Sequence, residues 1–205
     1  MDWLAGMIEY PFLRNALLAA LLASVSCGLT GAYVVSRRMV FLSGGVSHAS
    51  FGGIGLAFFL GLHPPLGALA FAVLSALLIQ YLADHQQIRN DSAIGIIWSV
   101  GMAAGIIFAY MTPGYVPNLM TYLIGNILTV GRSDLLLLLL SFALSIIAFI
   151  GFFPLVLAVS FDEQYARIRK VPAGLANYLL MVVVAITIVT SIRVAGVILV
   201  ISYLT

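Results

Sequence analysis

Long apolar runs broken by short polar punctuation organise this chain from end to end. The first run extends from Phe12 to Ser36 and stops at Arg37 and Arg38; the second, Val40 to Leu62, stops at His63, Pro64 and Pro65. A third covers Leu66 to Ala83 before the polar loop Asp84 to Asp91, and a fourth covers Ser92 to Met111 before Thr112, Pro113 and Gly114. The fifth is Leu135 to Val159, followed by the charged segment Phe161 to Lys170, and the sixth is Leu175 to Thr190. A helix crossing the hydrocarbon core of a bilayer needs about 20 such residues, because lipid offers the backbone no hydrogen bonds. The pattern therefore predicts an all-α fold, a polytopic transmembrane helical bundle forming one domain over residues 1–205. After Arg193 a further apolar stretch starts and the sequence stops within it at Thr205, so the chain reads as truncated at the C-terminus.

Two finer patterns lie inside these runs. Between the fourth and fifth, Leu119 to Val130 is apolar but too short to cross, which predicts a re-entrant or interfacial helix. Small residues recur every fourth position: Ala23, Cys27 and Gly31; Gly45, Ala49, Gly53 and Ala57; Gly95, Ser99 and Ala103. Such stripes let helix backbones approach closely where lipid supplies no hydrophobic drive, and they predict a tightly packed bundle that also dimerises.

Composition agrees with a membrane setting. The chain is 63% hydrophobic and 8% charged, whereas a soluble domain carries about 25% charged residues to dress its surface. A net charge of +2 with no basic cluster gives nucleic acid nothing to follow. Cys27 is the one cysteine, which excludes an internal disulfide and argues against a zinc-thiolate centre. The first run is a retained span, since Asp2 and Glu9 stand where a signal peptide carries basic residues and the run is too long for a signal core. The nine basic residues orient the spans. With the N-terminus outside, Arg37, Arg38, Arg89, Arg167, Arg169 and Lys170 fall inside, leaving Arg14, Arg132 and Arg193 on or near the outer side, as the positive-inside bias requires. Arg193 lies near a helix end and can snorkel to the headgroups.

Candidate chemistry is sparse. His48 lies about two turns into the second run, too deep to snorkel, and an ionisable group there points to function. On a helix Gly44, His48 and Gly52 share a stripe, so the imidazole projects from a face with little bulk, with the Ser47 and Ser50 hydroxyls nearby. Two readings stand: a metal-ligating nitrogen in a water-accessible pathway, or a neutral histidine bonded to a neighbouring carbonyl to join two helices. One imidazole cannot hold zinc, which takes four ligands, so any metal contact is transient or shared with a second His48 across a two-fold axis. Enzyme chemistry is excluded because Ser47 and His48, adjacent on a helix, cannot form a nucleophile–base pair, and no other intramembrane His or Asp pair is present. The segment Phe161–Lys170 carries Asp162 and Glu163 at its start and basic residues at its end, which suits a short helix and its dipole. It reads either as a solvated loop helix or as one docking on a soluble partner.

The order of these features resembles the permease subunit of ABC-type zinc, manganese or iron importers. The matching pieces are Arg37-Arg38-Met39; Ser47-His48-Ala49 in a glycine-rich span; Asp91-Ser-Ala-Ile-Gly95-Ile; Tyr122-Leu-Ile-Gly125-Asn-Ile-Leu-Thr-Val130; Phe161-Asp162 with Tyr165-Ala166-Arg167; and Val194-Ala-Gly196-Val-Ile-Leu199. They run along essentially the whole chain. The resemblance implies a multi-pass protein of the prokaryotic plasma membrane and a homodimer of permeases, with an extracytoplasmic metal-binding protein that delivers the ion. No cofactor is bound directly; ATP acts through a separate ATP-binding subunit. It implies that His48 faces the translocation pathway and that Phe161, Asp162, Glu163, Tyr165, Ala166 and Arg167 belong to a cytoplasmic coupling helix seated on the ATPase. Many members carry an aspartate four residues before the histidine, where this chain has Gly44. An ATP-independent secondary transporter or channel is the alternative; it would need intramembrane carboxylates or a proton relay, and the spans hold neither.

Overall fold

In the computed structural model, residues 10–85, 88–114, 120–161, 166 and 172–205 are described, and among them every regular element is helical. The helices are α1 (Pro11–Ser36), α2 (Leu42–Phe59), α3 (Pro64–His85), α4 (Asn90–Met111), the short α5 (Met120–Ile124), α6 (Arg132–Ile146), α7 (Phe153–Phe161) and α8 (Ala173–Leu204). Five spans are long and apolar enough to cross a membrane: α1, α3, α4, residues 132–151 and α8. The first four predicted runs locate α1 to α4 to within a few residues at each end, whereas the sixth, expected to end at Thr190, continues as helix past Arg193.

Helix α2 occupies the middle. Fourteen of its eighteen residues are buried, which is why it tolerates five glycines and three serines: a helix walled by protein need not be as apolar as one walled by lipid. Its neighbours approach on glycine. A Cβ built on Gly53 would lie 2.0 Å from the Gly67 carbonyl oxygen of α3, and one on Gly101 of α4 would lie 2.6 Å from the Ala49 Cα. A Cβ on Gly55 would lie 2.4 Å from the Gly105 carbonyl oxygen. Only glycine permits these contacts. The predicted stripes of α1 and α2 are buried accordingly, but that of α4 is not. Gly95, Ser99 and Ala103 are exposed, and α4 instead meets α2 through Ile94, Gly101 and Gly105. Adjacent helical positions are about 100° apart, so Gly101 and Gly105, two residues on from Ser99 and Ala103, face the other side of α4.

The helix ends explain themselves. Helix α1 begins on Pro11, whose fixed φ and missing N–H suit the first turn. It closes with Met39 N–H donating to the Val34 carbonyl at 2.9 Å and Arg38 N–H to Val35 at 3.0 Å, while Arg38 holds a left-handed φ of 55°. This is the Schellman arrangement. Helix α2 closes in the same way, with Gly61 at φ 67° and Leu62 N–H bonded to the Ala57 carbonyl at 2.8 Å.

The predicted fifth run is not one helix. After α6 the backbone widens into a π-type turn over Ile147–Gly151, leaves helical geometry at Phe152 (φ −110°, ψ 31°), and restarts as α7 with Pro154 in its first turn. Proline has no N–H to continue the ladder and clashes with the preceding turn, so the break falls before it.

Helix α8 is broken at Gly196, whose φ of 77° and ψ of 163° are open to little but glycine. Its first part starts beside Val159, near the Arg37 end of α1. It passes Cys27, whose thiol donates to the Ser191 hydroxyl at 3.5 Å, and brings Val194 against Ala19 and Ala23. Past Gly196 the chain doubles back, because Leu204 lies against Gly31, well below Ala19 along α1. The apolar stretch after Arg193 therefore returns toward the side from which α8 came, as the alternating topology predicts.

Candidate translocation site

His48 is the exception on its helix. From Leu42 to Gly55 every residue is buried except His48, which is partly exposed. Its ring lies flat on the Trp98 indole of α4, with centroids 4.6 Å apart and planes within 3°. Nδ1 is buried and has no hydrogen-bond partner among the described residues. The bond to a neighbouring carbonyl expected of a packing histidine is therefore not made at that nitrogen.

The predicted companions divide. Ser47 Oγ donates to the Ser43 carbonyl at 2.5 Å and Ser50 Oγ to the Ser47 carbonyl at 2.6 Å, so both hydroxyl protons are used within α2. Gly44 opens toward the same wall as His48. A Cβ there would stand 3.6 Å from Ile201 Cδ1 and 3.8 Å from Trp98 Cζ3, ordinary contact distances. A larger side chain at position 44 would point toward the indole. Gly52 is different, since a Cβ on it would come within 2.7 Å of the Phe71 ring. Among the described residues no three His, Cys, Asp or Glu side chains converge as a metal site.

Sequence reasoning did not find Trp98. It stands 50 positions from His48, and its one signal is a tryptophan placed deep in a span rather than in the interfacial belt where that residue concentrates.

The opposite end of the bundle carries a second polar cluster. Helix α5 ends at Gly125, at φ 67°, which packs into the break of α8: a Cβ on Gly196 would lie 2.1 Å from the Ile124 carbonyl oxygen. Asn126 N–H donates to the Arg193 carbonyl at 3.1 Å, an acceptor that lacks a helical partner because the ladder ends there. Arg193 Nη1 meets Asp134 Oδ1 at 2.9 Å, and Asp134 Oδ2 accepts from Gly131 N–H at 3.2 Å, capping α6. Arg193 is thus held by a carboxylate in addition to any reach toward headgroups. The re-entrant expectation for Leu119–Val130 corresponds to α5 and a 3₁₀ turn over Ile127–Thr129, with residues 115–119 outside the described residues.

Of the expected coupling segment, Asp162, Glu163, Tyr165 and Arg167 lie outside the described residues. Phe161 ends α7 and is 77% exposed, whereas Ala166 is 1% exposed and packs with Val159, Ala173 and Ala176. Arg37 Nη1 donates to the Val159 carbonyl at 3.1 Å, placing the end of α1 beside this segment as the charge bias predicts.

Known proteins resemble the chain along its length. Residues 9–205 match the ABC 3 transport family. An uncharacterised membrane protein of Synechocystis is 41% identical over 96% of this chain and 70% of its own length. The manganese transport system membrane protein MntC of Halalkalibacterium halodurans is 31% identical over 97% of this chain and 68% of its own. The manganese import system permease protein ScaB of Streptococcus gordonii is 31% identical over 99% and 73%. A chain of PsaBC from Streptococcus pneumoniae, solved with a Fab, superposes with a TM-score of 0.81 at 33% identity, covering 99% of this chain and 73% of that one. The chain belongs to the ABC 3 transport family and is a multi-pass membrane permease subunit, not an enzyme.

Proposed function

We propose that this permease forms the membrane pathway of an ATP-driven importer for a divalent transition metal ion, and that the ion passes His48. The observation that carries the proposal is the partly exposed imidazole in the otherwise buried stretch 42–55 of α2, with Nδ1 unpartnered among the described residues. A buried polar group without a partner costs free energy, which function can explain. Zinc, manganese and iron(II) all accept an imidazole ligand. The names of MntC and ScaB support manganese as one of the three.

The chemistry suits passage better than storage. One nitrogen, with no carboxylate at Gly44, exchanges an ion's water for a ligand without trapping it, and a second His48 across a homodimer axis would supply the next. The glycine contacts around α2 keep the walls close, so a small relative movement of α2 and α4 would change the opening at His48. Energy enters from outside the bilayer. A separate ATPase would bear on Phe161–Lys170, and an extracytoplasmic metal-binding protein would deliver the ion at the opposite end.

The test is uptake of manganese, zinc and iron(II) into vesicles holding the assembled transporter. The parental protein should accumulate at least one of them on ATP addition, and His48→Ala should slow that uptake at least about tenfold, since losing even an outer-shell partner of a metal ligand costs that much. Uptake of none of the three ions, or a His48→Ala protein working at the parental rate, would overturn the proposal.

A further inference from the structure

The wall beside His48 is an indole held by one hydrogen bond along its own helix. Trp98 lies parallel to the imidazole at 4.6 Å, and its own Nε1–H donates to the Met102 sulfur at 3.0 Å, one turn further along α4. Its Cζ3 edge also borders position 44. The bond to Met102 restrains the indole, and the indole in turn restrains the imidazole.

This matters because the torsion that turns a histidine ring is soft, while a metal–imidazole bond is directional, lying in the ring plane along the nitrogen lone pair. A ring free to turn could spend Nδ1 on a backbone carbonyl of its own helix, as Ser47 and Ser50 do with their hydroxyls. A ring stacked flat on a restrained indole cannot turn without losing that contact. We propose that Trp98 is a positioning residue for ion passage: it holds the His48 imidazole in one orientation and keeps Nδ1 from being spent on a backbone carbonyl. The indole itself touches no ion. This rests on the reading that His48 meets the metal.

A double-mutant cycle in vesicles of the assembled transporter tests it, with manganese uptake normalised to the amount of complex recovered. Trp98→Leu should slow uptake about fivefold, the scale of one aromatic pair. Trp98→Phe, which keeps a ring to stack on, should restore most of that loss. In a His48→Ala background Trp98→Leu should have no further effect, since the residue acts through the imidazole. An equal loss from Trp98→Leu with and without His48 would assign Trp98 to packing alone and overturn the proposal. So would a parental rate for Trp98→Leu beside a slow His48→Ala, which leaves the His48 reading standing. A parental rate for His48→Ala would remove both.

Discussion

Single residues decide how near two helices can stand, and glycines of this chain differ sharply in what they support. Gly53 has the Gly67 carbonyl where its Cβ would go, whereas a Cβ on Gly95 would have nothing within 4 Å. Gly53→Ala must force α2 from α3 and should cost about 1–3 kcal/mol, the range for overpacking a close-packed site. Gly95→Ala should be neutral or slightly stabilising, since alanine is the better helix former. Thermal unfolding of the purified protein in detergent compares the two; equal midpoints would show that the α2–α3 contact yields easily. Nothing in the local sequence separates these glycines, because both sit in four-residue stripes of small residues. Spacing identifies a stripe, and only the bundle fixes the angle from which a neighbour meets it. His48 was legible from depth and composition alone, since imidazole is rare within apolar runs. Trp98 was not, because its partner lies in another helix and the pairing depends on how α2 and α4 cross.

At the level of elements, the hydrophobic runs locate helices well and breaks poorly. A run reports that every position faces lipid or protein, and that holds whether the backbone is straight or turned. Pro154 carries a signal for the division between α6 and α7, because its missing N–H has a fixed consequence. Gly196 carries almost none, since glycine is common in membrane helices; only its 77° φ and the α5 carbonyl packed against it reveal the turn. The coupling segment is the element whose role can be tested most directly. Phe161 is exposed at the end of α7 and under the proposed docking would meet the ATPase, while Ala166 is covered by its own chain. Phe161→Ala should weaken co-purification of the ATPase about tenfold, the loss expected of one aromatic anchor at an interface. Ala166→Trp should act differently, displacing α7 from α8 and lowering the thermal midpoint of the permease itself. Undiminished co-purification of the Phe161→Ala protein would remove this residue from the docking surface.

The molecule as a whole has two chemically distinct ends. One gathers Arg37, the α7 terminus and the start of α8, where Arg37 bonds the Val159 carbonyl. The other gathers Asn15, whose amide nitrogen donates to the Val130 carbonyl at 3.3 Å, with Asp134 and Arg193 paired at 2.9 Å. Charge asymmetry predicts that the first end faces the cytoplasm, because basic residues near span ends are retained on that side. Helix α4 tests the assignment, since its 22 residues extend about 33 Å at 1.5 Å each, against a hydrocarbon core of about 30 Å. Its termini, Asn90 and Thr112, must then emerge on opposite faces. In a Cys27→Ala background a cysteine at Thr112 should react with a membrane-impermeant maleimide added to intact cells, and one at Asn90 only after the membrane is opened. Labelling of Asn90 but not Thr112 from outside would invert the whole orientation and move Phe161 to the wrong side for an ATPase. Labelling of both from outside would mean that α4 does not span, and would sink the bundle as a crossing structure.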